Sequence, residues 1–579
     1  MKGSGIAFGR ALGDTTLSRK ELLTVAACAL AAAVVYTSLA AWHGALGASR
    51  SDDWVYYRSA YAFARDGAFS ADPWADTMLV GHVALAQPVI WLFGPSITYL
   101  QLMVAILGSL ALLGTYWITR SYLSRRQSAL ATGCLALGPI YGTLSVSFMT
   151  DIPAFALEVL VLLTGLRSMR RGRLSFPWFI TSLCLGLVAF SIREYALAAP
   201  ASVALIALRH VSAVSRTQMR RVMTLSLLGL LAAACTYLWR HSLPGSSHVS
   251  RPSQTFLISV AYGLSTIFTV SLFVFPTTFV LSPRTWGTAV RVRPRASLTA
   301  AAAVVIAWAW LLMSNGSIMM GNMFTAQGSY PDTLPGDPPV LLPEAVWIGL
   351  NILSLYSLLM LVAAALTANT EASGGTANSN STSTSRAGLQ MSQAFCLLML
   401  GELLVVKFAT PGVITDRYLF PLIPFVAAIA LSHAARAGLF IRSSRAIGVA
   451  SLALLALLGT AVVDASATFD GAKWQFATSL ERTGVAPQSI DGGYEWFGYH
   501  QPGHIVDFAL DAPARNWWNR LFDDQPPCIE TRYAATLSER ASEASAEPIV
   551  ARYRTRTGLG VTYDLVAVRL NAHCLFKSR

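Results

Sequence analysis

The apolar run LLTVAACALAAAVVYTSLAAW (residues 22–42) is followed closely by the polar and aromatic stretch SDDWVYYR (residues 51–58). About 20 consecutive apolar residues are enough to cross a bilayer as an α-helix. The run is too long for the core of a signal peptide, and no convincing cleavage site follows it. We therefore predict a retained membrane helix, after which two adjacent carboxylates, Asp52 and Asp53, begin a loop.

These two carboxylates allow two interpretations. Adjacent carboxylates repel each other, so the pKa of one of them tends to be raised, which suits a base that takes a proton from a hydroxyl group. Alternatively, Ser51 and Asp52 cap a short surface helix, because both residue types satisfy free N–H groups at a helix start. The order of motifs in the rest of the chain bears on this choice.

The composition is that of a polytopic membrane protein. The chain has 579 residues, of which 54% are hydrophobic and only 13% are charged, whereas a soluble chain has about 25% charged residues. The formal net charge of +13 does not indicate a nucleic-acid partner, since the basic residues lie in alternate loops and not in one stripe. The predicted fold is a mainly α helical bundle with about 11–13 transmembrane helices.

About thirteen apolar segments are candidate membrane helices by length and composition. They lie near residues 22–44, 97–119, 127–146, 152–166, 175–192, 194–209, 222–240, 256–282, 298–315, 344–367, 393–410, 419–435 and 446–463. The apolar stretch 79–94 is shorter and contains His82 and Pro88. We predict a re-entrant or interfacial segment there.

Lysine and arginine are distributed unevenly between the loops on the two sides of these helices. One set of loops holds 23 of them and the opposite set holds 8. The richer set is expected to face the cytoplasm. With an odd number of helices, this predicts an inner (plasma) membrane protein with a cytoplasmic N-terminus and a periplasmic or extracellular C-terminal domain.

The chain is predicted to have two domains. Residues 1–464 form the transmembrane domain, with a first outer loop at 45–96. A Ser/Thr/Asn/Gly-rich segment at 368–392 is predicted to be a flexible cytoplasmic linker. Residues 465–579 alternate apolar and polar residues between turn signals, so we predict a small α/β extracytoplasmic domain. Outside the cell, the two cysteines of this tail, Cys528 and Cys574, can form a disulfide.

Acidic residues of the membrane part lie mostly at predicted outer helix ends, which points to chemistry at that face. The motif MTDIP (residues 149–153) places Asp151 at a helix start, where Asp before a first-turn proline is a good cap. Glu158 lies seven residues later and therefore shares a helix face with Asp151. Because an ionisable group inside a membrane span favours a function, capping and a site role both stay open.

Arg193 lies in the motif SIREY (residues 191–195), where two apolar segments meet at the outer face. Its guanidinium group could clamp a phosphate, because guanidinium pairs well with phosphate oxygens. The alternative is an interfacial ion pair with Glu194, although neighbours on a helix do not face each other. Tyr195 is a further candidate site residue.

The motif DRYLFP (residues 416–421) opens the twelfth segment on the same face. It contributes three candidate site residues: Asp416, Arg417 and Tyr418. Together with Arg193 and Lys407, Arg417 could form a cationic site for a lipid phosphate. The alternative is that these residues anchor the helix ends at the membrane border.

Other kinds of site have little support in the sequence. There is no Gly-rich phosphate loop, no His or Cys cluster with metal-ligand spacing and no Gly-x-Ser-x-Gly motif, and we expect neither a metal nor a cofactor. His82 is a further candidate, although a lone histidine more often serves structure. Glu402 lies in mid-span and is expected to have a partner.

Taken in order, these motifs resemble the GT-C glycosyltransferases, in particular the family-39-like group. That group includes protein O-mannosyltransferases and bacterial transferases that modify lipid A with aminoarabinose. The matching residues are Asp52-Asp53, Thr150-Asp151-Ile152-Pro153, Ile192-Arg193-Glu194-Tyr195 and Arg417-Tyr418-Leu419-Phe420-Pro421. The resemblance covers residues 20–435 and leaves out the tail.

The resemblance implies an integral-membrane glycosyltransferase that takes a sugar from a polyprenyl-phosphate donor. It implies transfer with inversion, at the outer (periplasmic) face, to a lipid, glycan or protein acceptor. Asp52 or Asp53 would be the base and Asp151 a second acidic site residue, with the lipid phosphate at Arg193 and Arg417. Two other classes stay open: a polytopic transporter or lipid flippase, and a non-catalytic cell-envelope assembly protein.

If the implied site exists, its carboxylates and arginines must converge. We expect them on opposite walls of one cavity, about one sugar ring apart, because a base and a leaving phosphate lie on opposite sides of the anomeric carbon. The capping interpretation predicts instead that each carboxylate binds the N–H groups of its own helix start.

Overall fold

The computed structural model of the chain describes residues 17–70, 72, 74–75, 77–169, 173–212, 215–243, 256–367, 383–409, 415–501, 518, 527–534 and 548–570. Most of the predicted linker, residues 368–382, lies outside the described residues. The remainder of the predicted linker, 383–392, is helical, so this part of the linker prediction was wrong.

Helices form most of the described chain. In chain order they are α1 (Arg19–Trp42), α2 (Asp53–Asp66), α3 (Val80–Phe93), α4 (Ile97–Arg120), α5 (Arg125–Ala136), α6 (Pro139–Leu144), α7 (Asp151–Ser168), α8 (Phe176–Phe190), α9 (Ala198–Ser212), α10 (Arg216–Ser242), α11 (Phe256–Phe273), α12 (Phe275–Phe279), α13 (Arg284–Val292), α14 (Pro294–Asn315), α15 (Glu344–Thr367), α16 (Ser383–Ala409), α17 (Leu422–Arg436), α18 (Ser444–Arg482) and α19 (Tyr494–His500).

Among the described residues, eight helices are long and apolar enough to cross a membrane. They are α1, α4, α10, α11, α14, α15, α16 and α18. The apolar helices α3, α8 and α17 are shorter. Together with the C-terminal sheet described below, these helices confirm the predicted fold class, a mainly α multi-pass membrane bundle with a small C-terminal α/β region.

Two of the predicted spans are interrupted where a proline begins a new helix. The segment 127–146 is divided into α5 and α6 at Gly138, and Pro139 is the first residue of α6. The segment 256–282 is divided at Val274, and Pro276 lies in the first turn of α12. Proline has no N–H to donate and clashes with the preceding turn, so it is tolerated at a helix start and interrupts a helix interior.

The helix α18 runs through the predicted domain boundary at 464/465. Its 39 residues correspond to a length of roughly 58 Å, about twice the hydrocarbon thickness of a bilayer. The helix is therefore long enough to leave the membrane and continue into the C-terminal region without a break. The two predicted domains are joined by this helix and not by a loop.

The C-terminal sheet packs on the distal half of α18. Its strands are β1 (Ile490–Asp491), β2 (Ile529–Tyr533), β3 (Ile549–Arg556) and β4 (Thr562–Arg569), in the order β1-β2-β4-β3. β1 is parallel to β2, and the other neighbours are antiparallel. Phe469 of α18 stacks against Tyr533 and Tyr563 of the sheet, with ring centroids 5.8 and 5.5 Å apart.

The predicted disulfide involves Cys528, which lies directly before β2. Cys528 is in a disulfide, but its predicted partner, Cys574, lies outside the described residues. The pairing between them stays a prediction.

A buried ion pair joins α18 to the segment before α2. Arg50 is fully buried, and its Nε donates to Oδ2 of Asp470 at 2.8 Å. A second guanidinium nitrogen donates to Ser466 at 2.8 Å, and the hydroxyl of Tyr330 donates to the same Asp470 oxygen at 2.7 Å. Removing one partner of such a pair leaves an uncompensated buried charge. This network therefore fixes the start of α2 against α18.

Glycine permits the close approach of α18 to the chain after α1. A Cβ atom at Gly471 would lie 1.9 Å from the backbone oxygen of His43, which cannot move without shifting the chain. We predict that Gly471→Ala lowers the thermal unfolding midpoint of the purified protein, because overpacking costs about 1–3 kcal/mol.

The matched control for this substitution is Gly229→Ala in α10. A Cβ atom at Gly229 meets nothing within 4 Å, and alanine has a higher helix propensity than glycine. The control should unfold at the same temperature as the unchanged protein or higher. An equal midpoint for Gly471→Ala would contradict the close packing of α18 against the end of α1.

Candidate active site

Asp52 lies at the N-cap position of α2, but its side chain does not cap that helix. Its Oδ2 instead accepts a hydrogen bond from Arg417 at 3.0 Å, and its Oδ1 accepts from the Tyr494 hydroxyl at 2.7 Å and from Trp74 Nε1 at 3.4 Å. All three donors come from other parts of the chain. The capping interpretation therefore does not describe Asp52.

Asp151 forms a second ion pair at the start of α7. Its side chain is fully buried, and it accepts from Arg193 at 3.4 Å and from the Tyr195 hydroxyl at 3.2 Å. The Nε of Arg193 also donates to the Thr150 hydroxyl at 2.5 Å. The motifs at 149–153 and 191–195 therefore meet, as the sequence predicted.

Tyr418 connects the two ion pairs. The guanidinium carbons of Arg193 and Arg417 each lie 5.2 Å from the centre of the Tyr418 ring. Arg193 also donates to the hydroxyl of Tyr56 at 3.5 Å. The aromatic face of Tyr418 suits cations, so the two arginines share one aromatic surface and lie in one cluster with their carboxylates.

The arrangement within this cluster differs from the expected one. We expected carboxylates and arginines on opposite walls, yet each carboxylate contacts an arginine directly. Unpaired charges in a largely buried site are costly, and pairing removes that cost.

The surroundings of Asp52 favour its charged form. Burial on its own would raise the pKa of this carboxyl group, but the charge of Arg417 and the hydrogen bonds from Tyr494, Arg417 and Trp74 outweigh it. The pKa of Asp52 is therefore held below its usual range. Since a base must be deprotonated to act, Asp52 is in the required state at neutral pH.

Asp53 lies outside the cluster of ion pairs. Successive residues of a helix point about 100° apart, so Asp53 faces the interior, where Gln101 donates to its Oδ2 at 3.3 Å. Its side chain is fully buried, and burial raises its pKa to about 8. A carboxyl group with this pKa is mostly protonated at neutral pH. Of the two candidate bases, only Asp52 contacts the arginines.

Asp416 binds the loop between α14 and α15 and does not join the cluster. It is fully buried, and its two oxygens accept the backbone N–H groups of Met323 and Phe324 at 2.9 and 2.8 Å. Its neighbour in sequence, Arg417, points to Asp52. The motif DRYLFP therefore supplies one residue that positions the loop and one that lies in the candidate site.

The other predicted site residues lie around the cluster. His82 is buried, its Nε2 lies 3.2 Å from the backbone oxygen of Phe148, and its ring contacts Tyr56 edge-on. Glu194 and Glu402 are half-buried. The side chain of Lys407 lies outside the described residues, so its predicted phosphate contact is not tested.

Glu158 lies deeper along α7 than Asp151. It is fully buried, and within the described part of the chain neither of its carboxylate oxygens has a hydrogen-bond partner. No three His, Cys, Asp or Glu side chains of the described residues are grouped closely enough to hold a metal ion.

Sequence reasoning missed Tyr494 and Trp74 as contacts of Asp52. Trp74 lies in the first outer loop, and Tyr494 lies in the tail motif IDGGYEWFGYH (residues 490–500). The density of aromatic residues in that motif was a signal, because tyrosine and tryptophan combine an apolar surface with a hydrogen-bond donor. The tail therefore contributes to the candidate site.

Comparison with known proteins bears on this geometry. Residues 81–239 match the family model described as dolichyl-phosphate-mannose-protein mannosyltransferase. The match confirms the predicted resemblance and contains Asp151 and Arg193, whereas Asp52 and Arg417 lie outside it. A comparison with curated proteins found no match.

Solved GT-C structures were also found to be similar. ArnT from Cupriavidus metallidurans bound to undecaprenyl phosphate has 14% identity and a TM-score of 0.37, covering 95% of this chain and 98% of that one. AglB from Archaeoglobus fulgidus, in complex with an inhibitory peptide and a dolichol-phosphate, has 14% identity and a TM-score of 0.43, covering 85% and 61%. Arabinosyltransferase EmbB from Mycobacterium smegmatis has 11% identity and a TM-score of 0.33, covering 95% and 63%.

The role of Asp416 can be tested by Asp416→Asn. Asparagine has one acceptor oxygen in place of two, so one of the N–H groups of Met323 and Phe324 loses its partner. A hydrogen bond to a charged group contributes about 1.5–3 kcal/mol. We predict a lower thermal unfolding midpoint and faster proteolysis within residues 321–343.

The control is Asp332→Asn, because Asp332 is exposed in the same loop. It should leave both the midpoint and the cleavage rate unchanged. Equal cleavage rates for the two variants would mean that Asp416 does not hold this loop.

Proposed function

We propose that this protein is an integral-membrane glycosyltransferase that uses a polyprenyl monophosphate-linked sugar as donor. It transfers the sugar to a hydroxyl group of a lipid, glycan or protein acceptor, with inversion. The observation that carries the proposal is the contact between Asp52 and Arg417 at 3.0 Å. It places a deprotonated carboxylate beside a guanidinium group that is suited to phosphate.

The class of donor is supported by the matched family model, whose description names a dolichyl-phosphate sugar donor. Two arginines, Arg193 and Arg417, lie in one cluster on the ring of Tyr418. Guanidinium groups bind phosphate oxygens in a bidentate manner and stay charged at every physiological pH. The cluster therefore offers a cationic site that needs no change of protonation to receive a phosphate.

Donor binding would rearrange the two ion pairs. The donor phosphate competes with Asp52 for Arg417, because both anions prefer the same guanidinium nitrogens. Once the phosphate occupies Arg417, Asp52 loses its nearest positive charge and becomes a stronger base. Asp52 is thereby freed to face the acceptor only when a donor is in place.

The chemical step is a single displacement. Asp52 takes the proton of the acceptor hydroxyl, and the acceptor oxygen forms a bond to the anomeric carbon. The bond between that carbon and the phosphate oxygen breaks, and its electron pair leaves with the phosphate. Attack from the side opposite to the leaving group inverts the anomeric configuration. The proton on Asp52 then passes to solvent.

The arginines act on the charge that develops during this step. The donor phosphate is a diester with one negative charge, and the released polyprenyl monophosphate is a monoester that gains a second one. Positive groups that meet this growing charge bind the transition state more strongly than the ground state, which is what accelerates a reaction. Asp151 keeps Arg193 oriented for this role through their direct contact at 3.4 Å.

The site would lie on the outer, periplasmic or extracellular face of the inner (plasma) membrane. The excess of lysine and arginine in the opposite loops supports this orientation, with the N-terminus cytoplasmic and the C-terminal region outside. All site residues come from helix starts, helix ends or loops, as expected for a site at a membrane surface.

A transporter or flippase is the second candidate function, because of Glu158. A fully buried carboxyl group without a hydrogen-bond partner in the described chain is typical of ion or proton pathways in membrane bundles. A transporter would not depend on the base Asp52, and the following experiment separates the two functions.

The test compares Asp52→Asn with Asp53→Asn. The purified protein in lipid nanodiscs is given a panel of polyprenyl monophosphate-linked sugars with a membrane lipid and protein extract, and products are identified by mass spectrometry. We predict that Asp52→Asn lowers the transfer rate by about 10²–10⁴-fold, the usual contribution of a general base. Asp53→Asn should keep the rate within about tenfold, because Asp53 is mostly protonated already.

Full transfer activity in Asp52→Asn would remove the proposed base. Loss of activity in Asp53→Asn alone would assign that role to Asp53. Movement of a lipid-linked sugar across the bilayer of sealed proteoliposomes that contain Asp52→Asn, with no transfer product from the unchanged protein, would favour the transporter.

A further inference from the structure

The tail motif contacts the first outer loop at two successive residues. Tyr494 donates to Oδ1 of Asp52 at 2.7 Å, the shortest of the hydrogen bonds to this carboxylate. Its neighbour, Glu495, accepts the backbone N–H of Ser51 at 3.3 Å. One turn of the C-terminal region therefore holds both the backbone before Asp52 and the Asp52 side chain.

The backbone held by Glu495 is in an unfavourable conformation. Ser51 has a φ of +52°, in the left-handed region that residues with a Cβ atom seldom adopt. Such a conformation persists only where surrounding contacts enforce it. The carboxylate of Glu495 is in turn bound by Lys473 of α18 at 2.6 Å, so the contact on Ser51 is itself fixed.

Tyr494 is also held rigidly. It is 4% exposed, and its ring packs edge-on against Trp54 at 5.7 Å between centroids. The preceding Gly493 has a φ of +95°, and a Cβ atom there would lie 2.7 Å from the backbone oxygen of Thr333. Only glycine fits this turn, and the turn directs the next residue towards Asp52.

We propose that Tyr494 is a positioning residue that keeps Asp52 aimed while Arg417 binds the donor phosphate. The inference rests on the proposed function. Asp52 is held by both Arg417 and Tyr494. When the phosphate takes Arg417, Tyr494 and the more distant Trp74 donor at 3.4 Å remain.

This role has a consequence for the pH dependence of the reaction. A phenol that donates a hydrogen bond to a carboxylate stabilises its charged form and lowers its pKa. Because Tyr494 does not leave with Arg417, it limits the rise in the pKa of Asp52 when the donor binds. Asp52 then stays deprotonated, and active as a base, to a lower pH than it would without Tyr494.

The test is Tyr494→Phe in the full-length protein in nanodiscs, with Tyr553→Phe as the matched control. Tyr553 lies in the same C-terminal region and also donates at 2.7 Å, but to Gln475. We measure the pH dependence of kcat and kcat/KM, and the binding of polyprenyl monophosphate without a sugar. For Tyr494→Phe we expect the acid limb of the pH profile of kcat to move up by about one pH unit. We also expect kcat to fall about tenfold at neutral pH, because Asp52 is then less well aligned with the acceptor hydroxyl. Phosphate binding should stay within about twofold, and Tyr553→Phe should match the unchanged protein.

A second variant, Trp74→Phe, removes the longer hydrogen bond to the same oxygen. It should move the acid limb in the same direction by a smaller amount. A smaller shift in Trp74→Phe than in Tyr494→Phe supports the positioning role of Tyr494. Trp74→Phe also keeps the test informative if Tyr494→Phe expresses poorly.

Three outcomes would overturn the inference. In the first, Tyr494→Phe keeps the pH profile and kcat of the unchanged protein while Asp52→Asn is inactive, so that only the positioning role fails. In the second, Tyr494→Phe lowers kcat and thermal stability together without changing the shape of the pH profile. That result would indicate a merely structural role for Tyr494. In the third, the unchanged protein transfers no sugar from any polyprenyl monophosphate donor, and the proposed function fails with the inference.

Discussion

The ion pair between Asp52 and Arg417 is the interaction on which the candidate site depends. The two residues are 365 positions apart and meet at 3.0 Å, which joins the loop after the first helix to the motif before α17. The pair satisfies two charges that would otherwise be largely buried and unpaired. The proposed reaction requires the same two charges to separate, one towards a phosphate and the other towards a hydroxyl group.

The C-terminal region belongs to this site and is not an appended module. The helix α18 continues from the membrane part into the tail, where Asp470 and Ser466 bind the fully buried Arg50 just before α2. Tyr494 then reaches Asp52 itself. These contacts mean that the tail and the first outer loop form one packed unit, and that changes in the tail act directly on the proposed base.

Much of the helical fold could be predicted because membrane helices have a local signal, a long apolar run. Prolines such as Pro139 and Pro276 divided two of these runs, and local chemistry could have shown this. The convergence of Asp52, Asp151 and Arg193 was also predictable, since their motifs lie at helix ends expected on one face.

The pairing of side chains within the site could not be predicted from the sequence. Asp416 and Arg417 are adjacent, yet one binds loop N–H groups and the other binds Asp52. Adjacent residues diverge in direction, and only tertiary contacts decide which one faces the site. The contact of Tyr494 with Asp52 spans 442 positions, and no local periodicity encodes it.

The most direct measurement is a cryo-electron microscopy structure of the protein in nanodiscs with polyprenyl monophosphate bound. We expect a phosphate oxygen about 2.7–2.9 Å from the Arg417 guanidinium group, the usual length of such a charge-assisted bond. Asp52 should have separated from Arg417 while it keeps its hydrogen bond from Tyr494. A phosphate bound elsewhere, with the Asp52–Arg417 pair still closed at 3.0 Å, would contradict the proposed role of this pair.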